Sequence, residues 1–151
     1  MKDERINVER VNIDTLNVEN CVLSIEDRIL SEIFKEKGLS KAELSKKTNI
    51  VYNAIRANVE RMQDKGFLVG RDLEEETFYL TAAGVYELEY RMNKQYFMHL
   101  HDILSAHGID FHTAANYLRK QFYTYYISGE FDETQLLDNF IIWCKYGVSV
   151  V

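Results

Sequence analysis

Two short runs of residues in the first third of the chain place apolar side chains at helical spacing behind clear start signals. The first run begins after Ser24 and ends at Gly38. The second begins at Ser40 and Glu43, which form a capping box of the type S-x-x-E. Each run predicts a helix, and the second helix is the shorter of the two.

A third helical run and two β-rich runs follow without a long loop. Asn49 and Ile50 form the turn before the third helix, and Gly66 ends it. The inward positions of this helix are Ile55, Val59 and Met62. Residues 67–69 and 78–80 then read as two strands around a polar stretch, which predicts a hairpin with a long tip.

The order short helix, tight turn, longer helix and two strands over residues 39–84 describes a winged helix-turn-helix. Three further helices are predicted from Thr81 to Gly108, from Asp110 to Gly129 and from Asp132 to Gly147. The first of these, at about 26 residues, would be roughly 39 Å long. The expected fold is therefore mainly α with a small β-hairpin wing, a winged helix-turn-helix plus long C-terminal helices. We predict an N-terminal arm at 1–23, the winged domain at 24–84 and a helical dimerisation region at 85–151.

The amino-acid composition indicates the class of protein and the compartment in which it is expected. The 151 residues are 46% hydrophobic and include no proline, which suits a helical chain with a real core. Cys21 and Cys144 lack the spacing of a disulfide framework or a zinc site, and the charged N-terminus is unlike a signal peptide. No apolar run approaches the roughly 20 residues that span a bilayer. We expect a cytoplasmic protein.

Charge is distributed unevenly along the chain. The net charge is −6, yet the segment 35–71 holds nine basic and four acidic residues, a balance of +5. A lysine-rich solvated surface would also explain this balance. Combined with the helical pattern, it favours a nucleic-acid partner.

The run from Ala42 to Leu68, with its ending MQDKGFL, resembles the winged-helix core of bacterial regulators of the MarR type. The sequence LTAAG at 80–84 is similar to the L-T-x-x-G that follows the wing in that family. The resemblance implies a DNA-binding transcriptional regulator, although winged helices also serve as protein-protein modules.

Residues 24–144 also resemble, more weakly, the metal-dependent repressors of the DtxR and MntR type, through a long helix after LTAAG, the motif HGID and a helix with paired alanines. That resemblance would imply metal ligands on three helices. The corresponding positions are Ile25, Arg28, Phe97, Arg119, Phe122 and Tyr123. None is a good ligand for a divalent metal, and the four histidines offer no ready three-ligand face. We expect no metal and no cofactor.

The predicted recognition helix, about residues 51–65, would enter the major groove of double-stranded DNA. Its first turns offer Tyr52, Asn53 and Arg56 to base edges, with Val51 available for a thymine methyl. The expected phosphate contacts are Lys41, Lys46, Lys47, Arg61, Lys65 and Arg71. A solvated polar helix face is the alternative explanation of the same residues.

The predicted wing raises an objection to DNA binding, because Asp72, Glu74, Glu75 and Glu76 place four carboxylates at its tip. Phosphates would repel them. A winged-helix module that holds a protein partner and does not bind DNA therefore stays open as the alternative function.

A homodimer is expected because the small winged domain cannot bury the whole apolar face of the predicted long helix, so a second subunit is expected to bury the rest. The predicted interface residues are Leu88, Met92, Tyr96, Leu100, Phe140 and Trp143. The aromatic C-terminal third would form core or dimer interface, and a small apolar effector bound against it is a second idea. No catalytic motif is present, so an enzyme is not expected.

Overall fold

The computed structural model describes residues 10, 13, 23–71, 74–130 and 138. Their backbone forms six α-helices and a three-stranded antiparallel sheet. The predicted class, mainly α with a small β-hairpin, is confirmed. The chain divides into an N-terminal unit within 11–92 and a C-terminal unit that comprises Arg10 and the residues from Asn93 onward. Compactness does not decide where a dimerisation region begins, so the predicted domain ranges stay predictions.

Three helices open the N-terminal unit, and their ends follow the sequence signals. They are α1 (Ile25–Lys35), α2 (Lys41–Thr48) and α3 (Tyr52–Asp64). The Ser24 hydroxyl accepts the Asp27 backbone N–H at 3.1 Å and caps α1. Ser40 and Glu43 form the predicted reciprocal capping box of α2. Such caps satisfy N–H groups that the helix itself leaves without partners.

The sheet consists of β1 (Leu39–Ser40), β2 (Leu68–Arg71) and β3 (Thr77–Leu80), in the order β1-β3-β2. The hairpin of β2 and β3 matches the sequence prediction and pairs Leu68 with Leu80 and Arg71 with Thr77. The strand β1 was not predicted. It is only two residues long and forms because Leu39 pairs with Phe78, a partner 39 positions away that local pattern does not reveal.

The apolar core of the N-terminal unit lies where α1, α2, α3 and β3 meet. Its fully buried side chains are Ile29, Leu30, Ile33, Leu44, Ile55, Val59, Met62, Phe78, Leu80, Val85 and Leu88. The predicted inward stripe of α3 is confirmed. Burial of large aliphatic side chains contributes about 1.5–3 kcal/mol each and fixes the orientation of α3 in this unit.

The helix after the sheet, α4 (Ala82–Met92), starts against the loop between α3 and β2. The Thr81 hydroxyl accepts the backbone N–H of Gly84 at 3.0 Å, and the Thr81 N–H donates to the Phe67 carbonyl at 3.0 Å. A Cβ added at Gly84 would collide with the Phe67 carbonyl oxygen. Gly84 is therefore required by the close approach of two backbones.

The single long helix predicted from Thr81 to Gly108 is wrong. The structure has α4 and α5 (Lys94–Ala106), separated by Asn93, whose φ of −131° and ψ of 45° are not helical. Asparagine is a weak helix former because its side chain competes for backbone hydrogen bonds. The apolar rhythm continues across Asn93 because the helices on either side each bury a face, so periodicity alone did not reveal the interruption.

The C-terminal unit is built on α5 and α6 (Phe111–Ser128). Asp110 caps α6 by accepting the Thr113 N–H at 2.8 Å, as predicted. The rings of Phe97 and Phe122 stack with centroids 5.0 Å apart. The guanidinium of Arg10 lies over two rings of α6, 5.7 Å from the centroid of Phe122 and 5.2 Å from that of Tyr125. The last predicted helix, from Asp132, lies outside the described residues except for Asp138.

Candidate nucleic-acid interface

One face of α3 is buried and the opposite face is open. The buried side chains are Ile55, Asn58, Val59 and Met62. Asn53, Arg56, Ala57 and Glu60 are all exposed. At 3.6 residues per turn these four positions fall within an arc of about 100° opposite the buried stripe. We call these four residues the outward face of α3.

The turn before α3 presents its first residues to the surface. Asn49 adopts the left-handed conformation, with φ of 57°, and the Ser45 hydroxyl donates to the Ile50 carbonyl at 2.5 Å. Val51 accepts the backbone N–H groups of Ala54 and Ile55 at 3.1 Å and has no side-chain cap. Its side chain is 72% exposed, which is unusual for valine and leaves it open to a partner.

The three predicted base-reading residues are all at the surface, but they do not share one direction. Asn53 and Arg56 belong to the outward face, whereas Tyr52, 47% exposed, lies on the flank of α3 that meets the wing. Within the part of the chain that the structure describes, Arg56 makes no ion pair.

The predicted phosphate-binding cations fall into two groups. Lys46 is exposed and makes no ion pair with any described residue. Lys41 lies 5.8 Å from the centroid of the Phe78 ring, and Arg71 lies 4.8 Å from that of Tyr79. Neither Lys41 nor Arg71 makes an ion pair with another described residue.

The other predicted phosphate contacts are compensated within the protein. Lys47 lies 2.9 Å from Glu36, and the hydrogen bond to that carboxylate raises the pKa of Lys47. Arg61 and Lys65 lie 3.9 and 3.4 Å from the same oxygen of Glu26. Arg61 also donates to Asn58 at 2.6 Å. Arg61 and Lys65 are held by Glu26 of α1, and Lys47, which lies on α2, is held by Glu36, so none of the three belongs to the outward face of α3.

Glu26 is a residue that sequence reasoning missed. Its side chain is only 17% exposed, and besides Arg61 and Lys65 it pairs with Arg91 at 3.3 Å. The signal in the sequence was its place in the first turn of α1, where a carboxylate is favoured by the helix dipole. Its partners are 35 to 65 positions away, so this signal could not name them.

The wing brings carboxylates close to the start of α3. Lys41, Ala42 and Tyr52 line a small open cavity of about 150 Å³ together with Glu75 and Glu76. Glu76 folds back over Gly70, where an added Cβ would collide with its carboxylate. Glu74 is exposed, and Asp72 lies outside the described residues. The acidic wing therefore meets the Lys41 end of the basic surface, and Lys46 and Arg56 are not among the residues that line this cavity.

Comparison with known proteins identifies the segment that carries this surface. Residues 25–69 match the model of a family described as winged helix-turn-helix DNA-binding. This segment is a winged helix-turn-helix. The match runs from α1 through α3 into β2 and agrees with the predicted fold. The matched family consists of DNA-binding domains rather than enzymes.

A solved structure is also similar to the chain. It is the multiple antibiotic-resistance repressor (MarR) from Listeria monocytogenes 4b F2365, with 20% sequence identity and a TM-score of 0.43. The similarity covers 70% of this chain and 74% of that chain. No curated protein matches the chain significantly.

The predicted dimer residues lie outside the matched winged-helix segment and differ in accessibility. Leu88, Tyr96 and Leu100 are at most 1% exposed within a single chain, whereas Met92 is partly exposed. Phe140 and Trp143 lie outside the described residues. Side chains that a single chain already buries have little surface left for a second subunit, and the predicted interface stays a prediction.

Two histidines of the C-terminal unit contact neighbouring side chains of the same unit. His101 stacks on Phe111 with ring centroids 4.3 Å apart, and burial lowers its pKa. His112 lies 3.3 Å from the Asn116 amide. Among the described residues no three histidine, cysteine or acidic side chains are grouped as a metal site would require. No helix in the described part is long and apolar enough to span a bilayer.

Proposed function

We propose that the protein is a sequence-specific DNA-binding transcriptional regulator that acts as a homodimer in the cytoplasm. The observation that carries the proposal is the outward face of α3, which exposes Asn53 and Arg56 within a segment that matches a DNA-binding family; Arg56 has no ion pair among the described residues. Arginine and asparagine are the side chains that bind guanine and adenine edges bidentately in the major groove.

The surroundings of that face support the same function. Lys46, on α2, is exposed and unpaired among the described residues, which suits a phosphate contact beside the groove. In the proposed dimer the two α3 helices enter successive major grooves, about 34 Å apart, and read a two-fold symmetric site. Residues 85–151 supply the contact between subunits in this proposal.

Selection of duplexes from a random library at low salt tests the proposal. We expect a selected site with two related halves spaced by about one helical turn. Arg56→Ala removes a base contact, so it should relax the preference at one position and lower affinity by about five- to a hundredfold for the selected site. The proposal is wrong if no duplex binds saturably.

Lys46→Ala tests whether a loss of positive charge alone, without the loss of a base contact, weakens DNA binding. It removes a phosphate contact, and we expect affinity to fall by a similar factor for every duplex while the selected sequence stays the same. Lys120→Ala, an exposed change on α6 with the same loss of charge, is the matched control and should leave binding unchanged. If Arg56→Ala and Lys46→Ala behave alike, α3 does not read bases.

One observation favours a second candidate, a module that binds a protein. Glu75 and Glu76 lie beside Tyr52 and Lys41, so the basic surface is interrupted at the start of α3. A partner with basic side chains would suit this corner. Under this alternative, Glu75→Gln with Glu76→Gln weakens partner binding, whereas under the preferred function the same change strengthens binding to all duplexes.

A further inference from the structure

The four residues of the outward face of α3 include one acidic side chain, Glu60, and Asp64, also exposed, follows one turn later on the same side at the end of the helix. We propose that Glu60 is a specificity-determining residue that accepts a hydrogen bond from the N4 amino group of cytosine in the major groove. This inference rests on the proposed DNA-binding function and adds a base preference to it.

The position of Glu60 follows from helix geometry. It lies seven residues after Asn53 and four after Arg56, which places it about 10 Å and about 6 Å further along the axis on the same side of α3. It is exposed, and the buried stripe of Ile55, Val59 and Met62 faces the other way. Glu60 therefore points toward the same side of α3 that Asn53 and Arg56 would present to a duplex.

The carboxylate of Glu60 has no structural task within the described residues. Arg56 and Glu60 are neighbours at i and i+4, yet they form no ion pair with each other or with any other described residue. The order of the two charges explains this in part, because an arginine that precedes the glutamate opposes the helix dipole. By contrast, Arg61 and Lys65 on the next turn are paired with Glu26.

A carboxylate on this face can discriminate between bases because it only accepts hydrogen bonds. Cytosine presents its N4 amino group to the major groove, and glutamate is a partner for that donor. Guanine presents two acceptors there, and adenine places its N7 acceptor beside its amino group. The acceptors of both bases repel a carboxylate. Phosphates repel Glu60 too, so it lowers affinity for duplexes that do not satisfy it.

The neighbours of Glu60 define where the cytosine should be. Arg56 prefers guanine, and the separation of about 6 Å between the two positions corresponds to about two base steps of roughly 3.4 Å. Ala57 lies between them on the outward face with a side chain of one carbon, so it does not hold the helix away from the bases. We expect a cytosine within about two steps of the guanine in each half of the site.

Selection from a random duplex library with the full chain and with two variants tests the inference. The unchanged protein should select one cytosine per half-site and bind it about five- to tenfold more tightly than thymine at that position. Glu60→Ala should remove this preference and leave the others in place. Glu60→Gln should shift it toward adenine, because glutamine binds the N6 and N7 atoms of adenine.

Two controls separate the possible outcomes. Glu130→Ala makes the same charge change at an exposed position after α6 and should leave the selected sequence unchanged. If Glu60→Ala binds every duplex more tightly with all base preferences intact, Glu60 only repels DNA and the inference is overturned. A site without a selected cytosine overturns it too. If no form of the protein binds any duplex, the proposed function itself fails.

Discussion

Gly84 shows how a single residue position can be understood only when its spatial neighbour is known. The sequence places it at the end of LTAAG, where glycine would ordinarily weaken a helix. In the structure its missing Cβ leaves room for the backbone of Phe67, whose carbonyl carbon would lie 3.0 Å from an added Cβ. The same carbonyl accepts the Thr81 N–H, so the start of α4 is joined to the loop between α3 and β2 at this point.

Gly84→Ala should therefore destabilise the protein. In an exposed helix the same change would stabilise by about 1 kcal/mol, but here the new methyl group meets a rigid backbone carbonyl and we expect a loss of about 1–3 kcal/mol. Urea unfolding followed by circular dichroism measures the change. Ala83→Gly, one position earlier in α4, is the control and should cost about 1 kcal/mol through helix propensity. An increase in stability for Gly84→Ala would contradict the close contact.

Residues whose partners are local were predictable, and those with distant partners were not. The caps at Ser40 and Asp110 bond three positions along the chain, so sequence spacing alone predicts them. The first turns of the predicted recognition helix place Asn53 and Arg56 at the surface, and both are exposed. Glu26 could not be connected to its cations, because their distance depends on how α1 packs against α3.

At the scale of elements, the sequence predicts most of the helices and the hairpin. It does not predict the two-residue strand β1 or the interruption at Asn93. The helices α1, α2 and α6 follow their caps and apolar stripes closely, and α3, which has no side-chain cap at its start, follows its apolar stripe. The strand β1 is too short to have a pattern and depends on its pairing with β3. The interruption at Asn93 has no proline or glycine to mark it, and apolar residues recur on both sides.

Arg91 connects α4 to α1 through several carboxylates. It lies 2.9 Å from Asp27, 3.3 Å from Glu26 and 3.0 Å from Glu87, and its side chain is 23% exposed. The guanidinium also lies 5.8 Å from the centroid of the Phe67 ring. Without this cation, three carboxylates would face one another at the junction of the two helices.

Arg91→Met should lower the free energy of unfolding by about 1 kcal/mol at low salt, because it keeps an apolar stem and removes the charge. The loss should shrink in 1 M NaCl, where the Debye length is about 3 Å and both the lost attraction and the carboxylate repulsion are screened. Lys120→Met, an exposed change on α6, should have no measurable effect. A loss that is equal at low and high salt would assign the role of Arg91 to packing instead of charge.

At the scale of the whole molecule, charge is the property that limits DNA binding. The chain carries −6 overall, and three of the six predicted phosphate contacts are paired with its own carboxylates. The fold therefore exposes a small cationic surface on an acidic protein, and specific base contacts must supply more of the selectivity than general attraction to DNA does. Fewer cations are therefore available to phosphates than the charge balance of residues 35–71 indicates.

The salt dependence of binding measures how many cations are available to phosphates. For B-DNA the slope of log K against log salt is about −0.9 per phosphate contact. Three available cations per subunit, Lys41, Lys46 and Arg71, give a dimer a slope of about −5. If all six predicted contacts were made, the slope would be about −11. We therefore expect a value near −5 for the unchanged protein on its selected site.

Releasing the paired cations should steepen this slope. Glu26→Gln with Glu36→Gln removes the internal partners of Lys47, Arg61 and Lys65. We expect tighter binding at low salt and a slope that moves from about −5 toward about −11, because more phosphates are then neutralised. Glu87→Gln with Glu130→Gln makes the same change of net charge without touching those pairs, so its slope should stay near that of the unchanged protein. Equal slopes for both double variants would show that the internal ion pairs do not withhold these cations from DNA.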